Sequence, residues 1–421
     1  MLPVGLILAQ VVTLSVGDRT EGRYVALFDR HFEASTRPLV GAKVDWKHLT
    51  LTLRYAPIFT VVPVESKDRD FYVFNNAYVS ASYSWSHTRL ELSQTSSFGA
   101  QNFYVLSLTD PRFNTAAPPV TPPAAAPVAP AGGTTGGPPG ANMGTGMMNG
   151  VGTPSATTPG VALPYANRAI HYGSSTTSAA IRSETSPTTT LRGELSYLIA
   201  GATQPEDAVL YPLVRGPLAT GSAQFRISRN DAVTSTLSMQ YVSSSLGTSA
   251  WIANYAQSWM HRLNHQTATQ LGVGISGTRS PAANGFIAYS IYPTFTAGII
   301  HTSIVERGKL TSSLTASSAP AIDLITTAVD PRLGTLAQVG WARDRFSASL
   351  SADATISLAA KSELGALSLI GAGAGVTYRL STGVSLDGGA RVAYQKYQGQ
   401  VVIPFSQTIY LAVNFLLDQR L

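Results

Sequence analysis

From Phe346 to Leu358 the chain alternates without a break. Phe346, Ala348, Leu350, Ala352, Ala354, Ile356 and Leu358 share one parity, while Ser347, Ser349, Ser351, Asp353, Thr355 and Ser357 take the other. A period of two over this length specifies an extended strand, because a helix would scatter these side chains around its axis. The stretch is long enough to cross the hydrocarbon of a bilayer, which takes about 9–11 tilted residues. One dry and one wet face also suit a soluble sandwich, so the class depends on whether the rest of the chain repeats the pattern.

It does. Val12, Leu14 and Val16 alternate with small or polar residues, as do Val40, Ala42, Val44 and Trp46, then Leu49, Leu51, Leu53 and Tyr55. Val79 to Trp85, Val233 to Tyr241, Trp251 to Trp259, Leu271 to Ile275, Ile370 to Tyr378, Val384 to Tyr394 and Ile409 to Phe415 follow suit. Short connections such as Lys47-His48 and His87-Thr88 predict antiparallel hairpins. Pro293, within the alternating segment Ile287 to Val305, predicts a bulge, since proline cannot donate to a ladder. Trp46, Trp85, Trp259, Trp341 and Tyr378 each stand on the apolar face just before a tight turn. Aromatic residues so placed predict a girdle at one membrane boundary, the periplasmic one in bacterial barrels. The fold class expected is all-β: a closed antiparallel transmembrane β-barrel of about 18 strands (16–18).

Composition agrees. Only 12% of the 421 residues are charged, yet no window approaches the apolar run of about 18 residues that a membrane helix needs. An amphiphilic chain without such helices is what a transmembrane barrel looks like in sequence. With no cysteine, thiolate metal sites and disulfides are excluded. The net charge of +6 is scattered singly, without the clustered footprint that nucleic-acid binding requires. Residues 1–9 read as the remnant of a secretory signal segment, and 10–421 as one barrel domain. Residues 113–167 contain no charge and are dense in Pro, Gly, Ala and Thr. They predict a disordered insert, placed in the periplasm if Phe103 to Leu108 forms an inward-running strand before it.

No catalytic or metal site emerges, and no cofactor is called for. His48, His87, His261 and His265 lie at predicted turns, where the i, i+4 spacing of the last two does not give zinc geometry. His301 and Ser303 share a face without an orienting third group. Gly371, Gly373 and Gly375 occupy one strand face and leave room for a neighbouring side chain rather than cradle a phosphate. The informative surface is the polar face, with Arg54, Glu91, Arg192, Glu194, Arg226, Asp353, Asp387 and Arg391. Arginine turned toward lipid at the midplane costs about 2–4 kcal/mol, so these residues are expected to line a lumen. These charges could instead form a mutually paired ladder that only holds the wall, and Asp387 and Arg391, on one face, could pair.

The whole chain resembles a Gram-negative outer-membrane β-barrel, and its final strand, with Ile409, Leu411, Val413 and Phe415, is similar to the assembly signal of that class. More narrowly, Leu49-Thr50-Leu51-Thr52-Leu53-Arg54-Tyr55-Ala56-Pro57 and Ser97-Phe98-Gly99-Ala100-Gln101-Asn102-Phe103 look like stretches of the myxobacterial barrels of polysaccharide export. The resemblance implies outer-membrane lipid, the barrel-assembly machinery and a periplasmic polysaccharide-export protein as partners. Function is therefore expected to be a conduit in the outer membrane, for polysaccharide secretion or, alternatively, as a porin-like diffusion channel. A structural barrel with a blocked lumen is the third possibility.

Overall fold

The computed structural model describes residues 11–26, 30–62, 71–102, 169–208, 211–281, 286–322, 327–358, 367–397 and 403–420. The expected signal segment and the 113–167 insert lie outside the described residues.

Among the described residues, one antiparallel sheet contains every strand. The first six strands are β1 (Val11–Ala26), β2 (Arg30–Asp45), β3 (Leu49–Tyr55), β4 (Ile58–Val61), β5 (Phe71–Ser84) and β6 (Thr88–Asn102). Then come β7 (Ala169–Ser186), β8 (Thr189–Ala202), β9 (Val214–Arg226), β10 (Asp231–Ser244), β11 (Ser249–Arg262), β12 (Thr267–Pro281) and β13 (Ile287–Val305). The last are β14 (Gly308–Ile322), β15 (Val329–Arg343), β16 (Phe346–Ser357), β17 (Leu367–Arg379), β18 (Val384–Tyr397) and β19 (Ile403–Arg420). Both β3 and β4 pair with β2 on one side and β5 on the other. They are two halves of one stave interrupted at Ala56-Pro57, so the wall has 18 staves. Pairing of β19 with β1, from Thr13↔Arg420 to Ala26↔Gln407, closes it. Closure leaves no unpaired edge, which is the condition for a sheet to stand in hydrocarbon.

Alternation becomes a two-faced wall. On β16, Leu350 and Ile356 are exposed while Ser349, Ser351 and Asp353 on the other face are partly covered. Registers carry this parity from strand to strand: Val339, Leu350 and Ala374 are partners, and so are Gln338, Ser351 and Gly373. Leu411, Val273 and Leu237 belong to the same exposed outer surface. A belt of exposed aliphatic and aromatic side chains around a closed wall is unfavourable in water and favourable against lipid. The barrel is an integral membrane barrel of the outer-membrane kind.

Short hairpin turns gather at one end. Trp46 N–H donates to Leu49 O at 2.7 Å, and Trp85 N–H to Thr88 O at 2.7 Å. Between β13 and β14 the two turn residues Glu306 and Arg307 both have positive φ, the twist-matched hairpin geometry.

Two local expectations are corrected. β6 pairs directly with β7, Asn102↔Ala169 to Thr88↔Ser183. Both ends of the 103–168 connection therefore lie at the rim opposite the short turns, not at the rim that carries them. The inward-running stave is β7, and Phe103 to Leu108 lies outside the described residues. β7 escapes sequence reading because its outer face, Gly173, Ser175, Thr177 and Ala179 before Ile181, carries almost no apolar signal. No bulge marks Pro293 either: the β12–β13 register runs unbroken through Ile275↔Pro293. Pairing of β13 with β14 ends at Phe295↔Ser318, so an N–H at 293 would have no ladder partner on that side.

Candidate functional site

The inner face is polar, and its charges come in pairs of opposite sign two residues apart. A spacing of two puts both members on one face of a strand. Glu21 sits between Arg19 and Arg23, bound to Arg19 at 3.0 Å and to Arg23. Lys43–Asp45 (2.7 Å), Arg89–Glu91 (3.5 Å), Arg182–Glu184 (3.2 Å), Arg192–Glu194 (2.8 Å) and Asp330–Arg332 (2.8 Å) repeat the arrangement. Several of these pairs are half exposed, where an ion pair contributes only about 0–1 kcal/mol. Their regular effect is on the interior surface, which is densely charged and locally neutral.

Two pairs bridge between staves. Arg391 Nη2 reaches Asp353 Oδ1 at 2.8 Å, spanning β17. Asp387 Oδ2 accepts from Arg19 Nη1 at 2.9 Å and from Asn414 Nδ2. Asp387 and Arg391, which could pair along their strand, do not, because each has a partner on another strand. Glycine makes the first bridge possible: a Cβ at Gly371 would stand 2.6 Å from Arg391 Nη2 and 3.0 Å from Asp353 Oδ1. At Gly389 a Cβ would stand 2.7 Å from the ring of Tyr410, whose ring lies 6.0 Å from the Arg19 guanidinium carbon.

Of the residues singled out from sequence, Glu91, Arg192, Glu194, Asp353, Asp387 and Arg391 belong to this paired set. Arg54 lies on the same face over Gly41, with its Cγ 3.4 Å from where a Cβ there would be. Arg226 ends β9 at the short-turn rim. Arg19, Glu21 and Arg23 were missed because the outer face of β1 turns polar at Asp18 and Thr20, which ends the apolar alternation. Their own spacing of two was the available signal. Trp46, Trp85, Trp259, Trp341 and Tyr378 all stand beside short turns, with Trp85, Trp259 and Tyr378 exposed.

The histidines are engaged locally. His261 Nδ1 lies 2.8 Å from Asp231 Oδ1 at the β9–β10 turn, and His301 Nδ1 lies 2.9 Å from the Thr267 hydroxyl on the outer face. Among the described residues no group of His, Asp and Glu is placed to hold a metal ion.

Toward the long-loop rim the interior changes character. Ile58, Phe74, Ile170, Tyr172, Val214 and Val242 turn inward from the wall and, with Tyr211 of the β8–β9 connection, form a buried apolar cluster. Burial pushes the Tyr211 phenol above its ordinary range, so it stays neutral. A second cluster joins Ala250, Ile252 and Val329, and Ile322 packs against both. Ile322 and Val329 come from the ends of β14 and β15. Beyond Phe295↔Ser318 on one side and Arg332↔Ser357 on the other, the ladder continues between these two ends, Pro320 opposite Pro331, and Leu358 N–H donates to Pro331 O at 2.7 Å. Past its last pair with β13, the end of β14 packs inward, with Ala319 and Pro320 over β9 to β12. Thr327, beside it, is fully buried at a φ of 54°, a left-handed conformation costing a β-branched residue about 1–3 kcal/mol. Asp330, also fully buried, ties the tip to the wall through Arg332 and the Ser357 hydroxyl. Prolines 293, 320 and 331 were the only sequence marks of this departure.

No family model matches the sequence, and no curated protein does. Among solved structures, the FrpB iron transporter from Neisseria meningitidis (F5-1 variant, apoprotein form) superimposes with a TM-score of 0.50 at 9% identity, covering 96% of this chain and 81% of that one. OccK9 (OpdG) of Pseudomonas aeruginosa gives 0.48 at 11% identity, covering 96% and 98%. OpdK of the same organism gives 0.46 at 9%, covering 97% and 99%. The fold is that of Gram-negative outer-membrane β-barrels.

Proposed function

We propose that the protein is a porin-like diffusion channel for small hydrophilic solutes. One observation carries the reading: an 18-stave closed wall turns serine, threonine and locally neutral ion pairs inward while its apolar side chains face out. A barrel of about this size leaves an aqueous channel unless something fills it. Here the apolar cluster fills one side of the outer mouth. The strip formed by β16, β18, β19, β1 and β2 carries Asp353, Arg391, Asp387, Arg19 and Glu21 and forms the wetted path. In this role Arg54, Glu91, Arg226, Asp353, Asp387 and Arg391 line the lumen, and the aromatic residues near the short turns anchor the periplasmic boundary. Paired charges suit solutes that are neutral or carry both signs, because neither sign is excluded.

Secretion of a polysaccharide with a periplasmic export protein finds no support in the wall or its interior. The diffusion channel fits the paired, narrowed lumen better. Liposome swelling tests it. Proteoliposomes should swell in small sugars and progressively less as sugar size increases. Protein that is folded, by heat-modifiable gel mobility, but gives no swelling in any sugar would refute it.

A further inference from the structure

A carboxylate stands on the outer face of the wall. On β1, Leu14, Val16 and Tyr24 turn outward and are exposed, and Asp18 and Thr20 share their parity. Asp18 stands opposite Phe415 of β19 and Pro38 of β2, with Val40, Val413 and Phe415 exposed around it. Along the β1–β2 ladder it lies midway between Val11↔Asp45, next to the Trp46 turn, and Tyr24↔Phe32, an exposed aromatic pair toward the long-loop rim. That is the middle of the belt that faces hydrocarbon. The Thr36 hydroxyl donates to one oxygen of Asp18 at 2.7 Å and the Thr20 hydroxyl to the other at 2.9 Å. An ionised carboxylate accepts about four hydrogen bonds, so capacity is left for a further donor. The adjacent Arg19 turns inward to Glu21 and Asp387, and among the described residues no lysine or arginine pairs with Asp18. A charge facing hydrocarbon is costly, and ionisable groups within a membrane mark functional contacts with a partner of opposite charge.

The carboxylate and its depth together select the occupant. Lipid headgroups lie at the edges of the hydrocarbon, not at its middle. A second copy of this chain in the same orientation brings no cation to this depth. Among the described side chains, the arginines of outward parity sit at the rims, Arg215 and Arg279 toward the long loops and Arg343 beside a short turn. Two copies meeting on this face would oppose carboxylate to carboxylate. We propose that the β1–β2 face around Asp18 docks a different membrane-embedded protein, which sets a lysine or arginine against this carboxylate. Thr20, Gly22, Ala34 and Pro38 keep the surface low there, so that a partner backbone can approach closely. In the lone barrel Asp18 is destabilising, and the docked cation offsets that cost.

Two measurements test the proposal, with heat-modifiable gel mobility reporting folding in both. In the purified barrel in lipid vesicles, Asp18→Leu should raise the urea midpoint, because a charge leaves the lipid face. In cells that make the protein naturally, a photo-crosslinking residue at Val40 should give a discrete adduct heavier than the barrel. The same residue at Val273, exposed on a distant part of the outer face, should give none. Peptide mapping should place the crosslink on a membrane-embedded segment that carries lysine or arginine. Asp18→Leu should lower the adduct yield several-fold, while Asp18→Glu retains it. An adduct of two barrels, labelling of lipid alone, a mapped segment without lysine or arginine, or a yield indifferent to Asp18→Leu overturns the proposal. A lowered urea midpoint or failed assembly of Asp18→Leu also overturns it, since Asp18 would then be a tie of the β1–β2 seam.

Discussion

At the scale of single residues, parity decides what a side chain meets. Ala352 and Ser351 are sequence neighbours on β16, yet Ala352 pairs with Ala337 and Ala372 on the outer face while Ser351 pairs with Gln338 and Gly373 on the inner one. Ala352→Arg should disfavour insertion by about 2–4 kcal/mol if its charge lies at the bilayer midplane. Ser351→Arg should assemble normally, since its guanidinium meets water and the glycine face of β17. Heat-modifiable gel mobility and the yield of inserted barrel compare the two. Equal yields would mean the faces are assigned the wrong way round. Parity was legible in the sequence for most residues, but partnership was not. Arg391 and Asp387 share a strand and a face, yet their partners, Asp353 and Arg19, come from β16 and β1. Only closure of the sheet and the absent side chain at Gly371 make those contacts, and neither can be read locally.

At the scale of the strand, legibility follows apolar payload. β16 announces itself because its outer face is unbroken, whereas β7 is silent because hydroxyls and small residues fill its outer face. That silence reversed the side on which the 103–168 connection emerges. β6 and β7 now place both its ends at the long-loop rim. If the short turns are periplasmic, a protease site introduced between residues 113 and 167 should be cut by protease added to intact cells. Protection in intact cells, with cleavage only after the outer membrane is opened, would place the short turns outside. The inward tip of β14 and β15 was equally hidden. Its prolines were visible, but a proline marks where a ladder cannot continue, not which way the freed strand bends.

For the whole molecule, the organising property is a wall that is apolar outside and charge-paired inside. Overall net charge is +6, which taken alone would favour anions. Several surplus cations, including Lys47, Arg262, Arg307, Arg343 and Arg345, lie at or beside short turns, where bulk electrolyte screens them within about 8–10 Å. In the proposed channel, charges inside the lumen would govern permeation, and those are balanced by the pairs on β1, β2, β6, β8, β16 and β18. Planar-bilayer recording of the purified barrel under a salt gradient tests this most directly, because one trace reports both passage and sign. Discrete current steps with a reversal potential near zero are the expected result. A strongly anion- or cation-selective current, or no current from folded protein, would contradict an open lumen lined by paired charges.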